Sequence, residues 1–269
     1  MGTNRRWAFY PETISRWIPD RQASVLVVAG GLGDRDVFRD LGFRNVVISN
    51  MDERTPPGEF APFAWRREDA QKLNAPANSY DYVVEHNGLH HLHSPHLGLT
   101  EMYRVARKGV VFFEARDSMA MSVARRLRIA GDYEQSAVFS QDGKHGGVNN
   151  THIPNYIYRW TEREVEKTIA SYDPTARHVF RYRHGATMPF GLTLEKGRGR
   201  LLMAALISPF FKTLTTLFRG QGNQFAAMIE KPAIPEALHP WLTQRDGELH
   251  FNFDWARRRY RAGVEGAHG

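Results

Sequence analysis

The stretch Val25 to Asp34, VLVVAGGLGD, limits the fold of this chain more than any other: an unbroken aliphatic run ending in three closely spaced glycines is a buried strand turning into a ligand-binding loop. Val25, Leu26, Val27 and Val28 show no polar alternation, as a central parallel strand covered on both faces requires. Gly30, Gly31 and Gly33 let the backbone turn tightly and approach a ligand, and the pattern DVFRDLGF predicts a helix beginning near Asp36. Strand, glycine turn and helix together open a mononucleotide-binding fold.

The pattern then repeats. An amphipathic helix is expected over Pro11 to Ile18, and a second strand over Asn45 to Ser49, where three β-branched residues follow a helix-ending Gly42. A proline-rich loop from Thr55 to Pro62 and an edge segment, Phe63 to Trp65, lead to Glu68-Asp69-Ala70. Tyr80 to Glu85 reads as a further buried strand, followed by a histidine-rich turn, a helix from Pro95 to Arg107 ended by Gly109, and a core strand from Val110 to Glu114. Met119 to Ala130 has helical spacing, and Gln141 to Asn155 is a long polar loop, read as exposed, whose His145 and His152 alternatively reach over a pocket as bases. Thr161 with Glu164 forms a capping box, and late strands are expected over Ala176 to His184 and Asn223 to Glu230. Strands alternating with helices at this spacing give an α/β fold with a doubly wound, mostly parallel sheet.

The 269 residues, 42% hydrophobic, suffice for one large domain, and the absence of cysteine excludes disulfides, thiolate metal sites and a cysteine nucleophile. Thirty-six Lys and Arg against 29 Asp and Glu give a formal charge of +7, which favours anionic partners. The basic clusters, Arg125, Arg126 and Arg128 and then Arg257, Arg258, Arg259 and Arg261, read as solvated helix faces, and without a nucleic-acid module around them no nucleic-acid partner is expected. The first residues lack the apolar core of a signal peptide, and Arg6 stands where a myristoylation motif wants Ser or Thr, so a cytoplasmic location is expected. Leu201 to Phe218 is apolar but interrupted by Pro209, Lys212 and several hydroxyl residues, which argues against a membrane span. It reads as a helix kinked at Pro209 that covers the core, roofs an acceptor pocket or forms a dimer contact. Flanked by Arg198, Arg200 and Arg219, residues 198–219 also suit peripheral contact with a membrane.

With the glycine loop, the strand end at Asn50 to Asp52, the Asp69-Ala70 pair and YDYVVEHNGLHHL in place, the chain resembles the class I S-adenosylmethionine-dependent methyltransferases, of the type-11-like, small-molecule kind. The resemblance runs from about Val25 to Glu114 and more loosely to Pro232, where GNQFAAMIEKP is similar to the family's last strand. It implies a Rossmann-like sheet with an antiparallel last strand and helical insertions, and S-adenosyl-L-methionine as cofactor, released as S-adenosyl-L-homocysteine. On that reading residues 1–232 form a single domain, with a cofactor-binding core at 20–117, insertions at 118–160 and 185–222 shaping the acceptor pocket, and a C-terminal extension at 233–269. The implied cofactor residues are Ala29, Gly30, Gly31 and Gly33 for the methionine portion and Asn50, Met51 and Asp52 for the ribose. Asp69 and Ala70 fall at the adenine, and Glu85, His86 and Asn87 at the sulfonium end. Two positions depart from the family: Val27 replaces an acid inside the first strand, and Asn50 stands where the ribose-binding acid is usual unless Asp52 serves. Asp34 and Asp36 either compensate by reaching the cofactor's amino group or, for Asp34, simply cap the helix.

Methyl transfer is an in-line displacement that asks mainly for positioning and a base for the acceptor proton. His91 is the expected base, with His90 or His86 second, acting on a hydroxyl of a small-molecule or saccharide-type acceptor. The same histidines equally suit capping the strand and orienting its loop. With no thiolates and no fixed partner set, no metal is expected. Two other functions compete: a nucleotide-dependent oxidoreductase on a Rossmann fold, and a catalytically degenerate methyltransferase fold that binds partners. No Tyr is followed four residues later by Lys, which weighs against the first, while Val27 and Asn50 keep the second open.

Overall fold

The computed structural model describes residues 5–186 and 198–261. The first four residues, 187–197 of the second insertion and 262–269 of the C-terminal extension lie outside the described residues.

β1 (Val25–Val28) is buried along its whole length. Leu26 and Val28 join the apolar cluster on one side of the sheet and Val25 and Val27 the cluster on the other, which is why the run lacks polar alternation. β2 (Val46–Asn50), β3 (Ala64–Arg67), β4 (Tyr80–His86), β5 (Ala106–Ala115), β6 (Val179–Gly185) and β7 (Gln224–Glu230) complete a seven-stranded sheet in the order β3-β2-β1-β4-β5-β7-β6. Pairing is parallel from β3 through β5, whereas β7 runs antiparallel to both β5 and β6. α1 (Arg5–Trp17) and α2 (Leu32–Asp40) bring Tyr10, Ile14 and Phe38 to one face, and α3 (Pro95–Val105) and α6 (Glu162–Tyr172) bring Leu99, Met102, Val165 and Ile169 to the other. Short helices α4 (Met119–Arg126) and α5 (Gln135–Phe139) lie in the first insertion. α7 (Arg198–Leu217) lies in the second and continues through Pro209. A hairpin, β8 (Leu242–Arg245) and β9 (Glu248–Phe251), and α8 (Phe253–Arg261) follow, tied to the domain by backbone bonds from Arg177 to Ala237 and from His239 to Thr175.

Several element bounds differ from the sequence expectation for identifiable reasons. α1 begins at Arg5 rather than Pro11 and carries the proline inside it, because Tyr10, Ile14 and Trp17 pack on the sheet and offset the lost backbone bond. α2 begins at Leu32 rather than Asp36: the Gly31 N–H donates to Asp34 Oδ2 at 2.8 Å, which starts the helix on the glycine turn itself. α3 ends at Val105, and Gly109 belongs to β5, where a Cβ would come within 2.7 Å of the Ile229 carbonyl oxygen of β7. That glycine answers to strand proximity, not to helix termination. α4 stops at Arg126 rather than Ala130, since Arg128 adopts φ +58°. β6 spans Val179–Gly185 rather than Ala176 to His184, and β7 starts at Gln224 rather than Asn223.

Candidate active site

The carboxyl ends of β1, β2 and β4 surround a cavity of about 230 Å³. Of the residues singled out in the sequence, Ala29, Asn50, Met51, Asp52, Ala70, Asn87 and His91 line it; Gly30, Gly31, Gly33, Asp69, Glu85, His86 and His90 stand behind that lining or beside it. Gly30 is required by packing, since a Cβ there would fall 2.8 Å from Ile48 and 2.9 Å from Val27. Gly31 has nothing within 4 Å of the Cβ position and leaves its side of the turn open. Ala29 (φ +51°) and Asn87 (φ +57°) both take left-handed backbone at the strand ends, and Ala29 fits because its neighbour Gly88 has no side chain.

At the end of β2 the Asn50 amide donates to the Gly30 carbonyl at 3.0 Å and accepts from the Asp52 N–H at 3.0 Å, so its side chain is committed to the loops. Asp52 is held ionised by Arg54, whose Nε lies 2.8 Å from Oδ1 and which keeps the carboxyl below its ordinary range. Next to β3, Asp69 Oδ1 accepts from the Gln71 backbone and side chain, while Glu68, unremarked as a site residue in the sequence, lines the cavity. Glu68 Oε2 is buried without a hydrogen-bond partner, and burial raises its pKa.

The polar stretch 141–155 is not a free surface loop. Gly146, Gly147, Asn149 and Asn150 roof the cavity, and Asn149 Oδ1 accepts from Gln71 Nε2 and from the His93 N–H at 3.3 Å each. Left-handed backbone at Gly146, Asn149 and Asn150 explains the glycine and asparagine content of a segment that reads as loop by composition alone. His145 lies close enough for its charge to act on Asp52, whereas His152 is exposed.

Beside the cavity, two histidines and two carboxylates form one network. His90 Nδ1 lies 2.5 Å from Glu114 Oε2, and its Nε2 3.3 Å from Glu134 Oε2, which is also 3.4 Å from His91 Nε2. Burial alone would push the His90 pKa down, but Glu114 and then Glu134 outweigh it and raise it to about 10. His91 moves the other way: burial and the adjacent charge of His90 hold it below its ordinary value. One imidazole is therefore a cation at neutral pH and its neighbour a free base. His90, His91 and Glu134 offer three ligand atoms within 4.8 Å of one another, of the types that bind divalent cations, and protonated His90 already donates its Nδ1–H to Glu114 and its Nε2–H to Glu134 there.

The remaining predicted residues sit beneath α1. His86 stacks on Tyr10 with centroids 4.2 Å apart and lies 4.0 Å from Asp34. Glu85 accepts from the Gly88 and Leu89 N–H groups, and burial, reinforced by Glu114, keeps it protonated well above its ordinary range. Glu85 Oε2 is buried there without a hydrogen-bond partner, and the buried Tyr10 hydroxyl faces Asp34. Asp36 instead pairs with Arg35 and Arg39 on the surface. Sequence reasoning missed Glu134 and Glu68: Glu134 stands in 131–140, to which no element or role was given, and Glu68 stands beside Asp69, which took the adenine role.

Residues 43–113 match the methyltransferase-domain family. No curated protein matches the chain. Among solved structures, a chain of the Haloferax volcanii complex that contains the Trm112 methyltransferase activator is 13% identical, with TM-score 0.52 over 86% of this chain and 92% of that one. A Bacillus subtilis protein is 8% identical, with TM-score 0.52 over 86% of this chain and all of its own. A SAM-dependent methyltransferase from Thermotoga maritima is 12% identical, with TM-score 0.50 over 84% and 89%. At these identities the likeness is one of fold.

Proposed function

We propose that this class I methyltransferase uses S-adenosylmethionine to methylate a hydroxyl of a small-molecule or saccharide-type acceptor, with His91 as general base. The single observation that carries the catalytic part is the division of charge between neighbours: His91, a neutral imidazole, lines the cavity, while His90 is already protonated by its two carboxylates. A group that holds its proton up to about pH 10 cannot take another's, so His90 positions and His91 accepts. His86, stacked under α1 and outside the cavity lining, serves the loop rather than the proton.

The residues present suit the cofactor. Ionised Asp52 offers acceptors for vicinal ribose hydroxyls, and the unpaired Glu68 Oε2 offers one for the adenine amino group, a role that Asp69, turned toward Gln71, would share only from behind. Gly31, with open space at its Cβ position, allows close approach of the methionine portion. Asp52 then answers the Asn50 departure, while Asp34 caps α2 through the Gly31 N–H and stands outside the cavity lining. When bound, the cofactor would supply an electrophilic sulfonium methyl, passed in line to the acceptor oxygen as its carbon–sulfur bond breaks and the neutral thioether leaves. The protein's own work is to hold the acceptor in line, which contributes about 7–11 kcal/mol in favourable cases, and to receive its proton on His91, worth roughly 10²- to 10⁴-fold.

Calorimetric titration with S-adenosylmethionine, S-adenosylhomocysteine and nicotinamide dinucleotides separates this reading from an oxidoreductase and from a partner-binding fold. Binding of the first two alone is expected. His91→Ala should bind the cofactor with unchanged affinity and lose about 10²-fold or more in kcat; full activity in that variant removes His91 as base, and no heat with either sulfur ligand removes the methyltransferase reading.

A further inference from the structure

Two helices present an apolar wall that the rest of the described chain leaves uncovered. On α7, Leu202, Leu206, Phe210 and Leu217 are 64%, 70%, 70% and 72% exposed. The adjoining face of the same helix, with Phe211 and Leu214, and Phe218 just after it line a groove of about 620 Å³ whose opposite wall is Met119, Val123 and Leu127 of α4 and its end. At 100° per residue these positions span about half the circumference of α7, and Ser208, Lys212 and Thr215 occupy the other half. A helix that hides neither apolar face in its own domain marks a contact surface.

The rim of the groove decides its occupant. Arg126 at the end of α4, Arg128 between the lining residues Leu127 and Ile129, and Arg219 next to the lining residue Phe218 are exposed and form no ion pair with any carboxylate among the described residues. A second copy docked face to face would gather two sets of these cations into one interface, whereas an anionic surface neutralises them. No helix among the described residues is long and apolar enough to cross a membrane. We propose that the α4–α7 face docks on an anionic phospholipid surface, with α7 lying in the interface plane and its leucines and phenylalanines entering the acyl boundary.

The groove reaches Asn223, whose carbonyl accepts from Arg116 just beyond β5, so it lies at the same end of the sheet as the cavity. Docking would thus bring the reaction crevice near the headgroup layer; on the methyltransferase reading above, a saccharide carried on a lipid presents its hydroxyls there.

The test is vesicle flotation of the full chain at 150 mM salt. Wild type should float with phosphatidylcholine vesicles containing 30% phosphatidylglycerol and at least tenfold less with phosphatidylcholine alone. The double variant Leu206→Glu/Phe210→Glu should lose flotation at least tenfold while keeping its melting temperature, since both side chains are already exposed. Arg126→Glu/Arg128→Glu should lose the preference for the anionic lipid. Wild type that floats with neither vesicle overturns the proposal, as does undiminished flotation of the double variant. A wild-type dimer dissociated by Leu206→Glu/Phe210→Glu, without flotation, identifies a second copy as the occupant and overturns it too. None of these readouts uses methyl transfer, so failure of the methyltransferase reading is seen separately, in the calorimetry.

Discussion

At the scale of single residues, charge and backbone strain meet around the cavity. His90 is buried between Glu114 and Glu134 and is held protonated up to about pH 10 against an ordinary 6.5. A folded-state value above the unfolded one means that this contribution to stability is fully present below about pH 6.5 and fades as the pH rises through about 10. His90→Gln leaves Glu114 buried without its cation and should lower stability by about 3 kcal/mol at neutral pH. Urea denaturation of both proteins from pH 6 to 10 checks this: the difference should shrink toward the alkaline end, and a constant difference would mean that His90 acts by shape alone. Ala29 makes a second test. Its φ of +51° strains an L-residue by about 1–2 kcal/mol, while glycine loosens the unfolded chain by about 0.4–1 kcal/mol. Ala29→Gly should therefore hold or raise the melting temperature, although alanine is ordinarily the better residue, and a clear drop would show that the methyl's packing outweighs the strain.

At the scale of elements, what was legible followed from periodicity, and what was not followed from distant partners. β1, β4 and β5 announce themselves because strands covered on both faces have no reason to alternate. Gly109 misled because a glycine after a helix pattern looks like its terminator, and nothing local tells of Ile229 across the strand gap. The roof at 146–150 was invisible for the same reason: its composition says loop, but only the bonds from Gln71 and His93 to Asn149 say where the loop lies. The turn beneath that roof closes through Gly147 N–H to the Thr151 carbonyl at 2.8 Å, and a Cβ on Gly147 would collide with the Ile153 carbonyl. Gly147→Ala must open the turn and should weaken S-adenosylmethionine binding by roughly tenfold, about 1.4 kcal/mol. Gly42→Ala is the control, at φ +80° but with open space around it: it should lose about 1–2 kcal/mol of stability and no affinity. Equal affinity losses in both variants, measured by calorimetry, would mean that the roof has no direct part in binding.

At the scale of the whole molecule, the strand order sends the ends of β1, β2 and β4 to one rim, and the first insertion comes back across that rim from beyond β5. Core and insertion meet at the cavity through few direct bonds, among them Arg54 with Gln141 and Gln71 with Asn149. A ligand seated between them touches both and adds its binding energy to their association. The cavity, about 230 Å³, is smaller than the roughly 300–1,000 Å³ usual for ligand sites, so seating a ligand of that size is expected to displace the roof. Two observables should then move together. At a hundred times its Kd, S-adenosylmethionine should stabilise the native state by about 2.7 kcal/mol through mass action, seen as a higher melting temperature. Over the same concentration range, cleavage by trypsin at Lys144, in the roof segment, should slow, because a ligand touching the roof adds contacts that any opening would break. Nicotinamide dinucleotides should do neither. A rise in melting temperature with unchanged cleavage would place the ligand on the core alone and leave the roof to the acceptor.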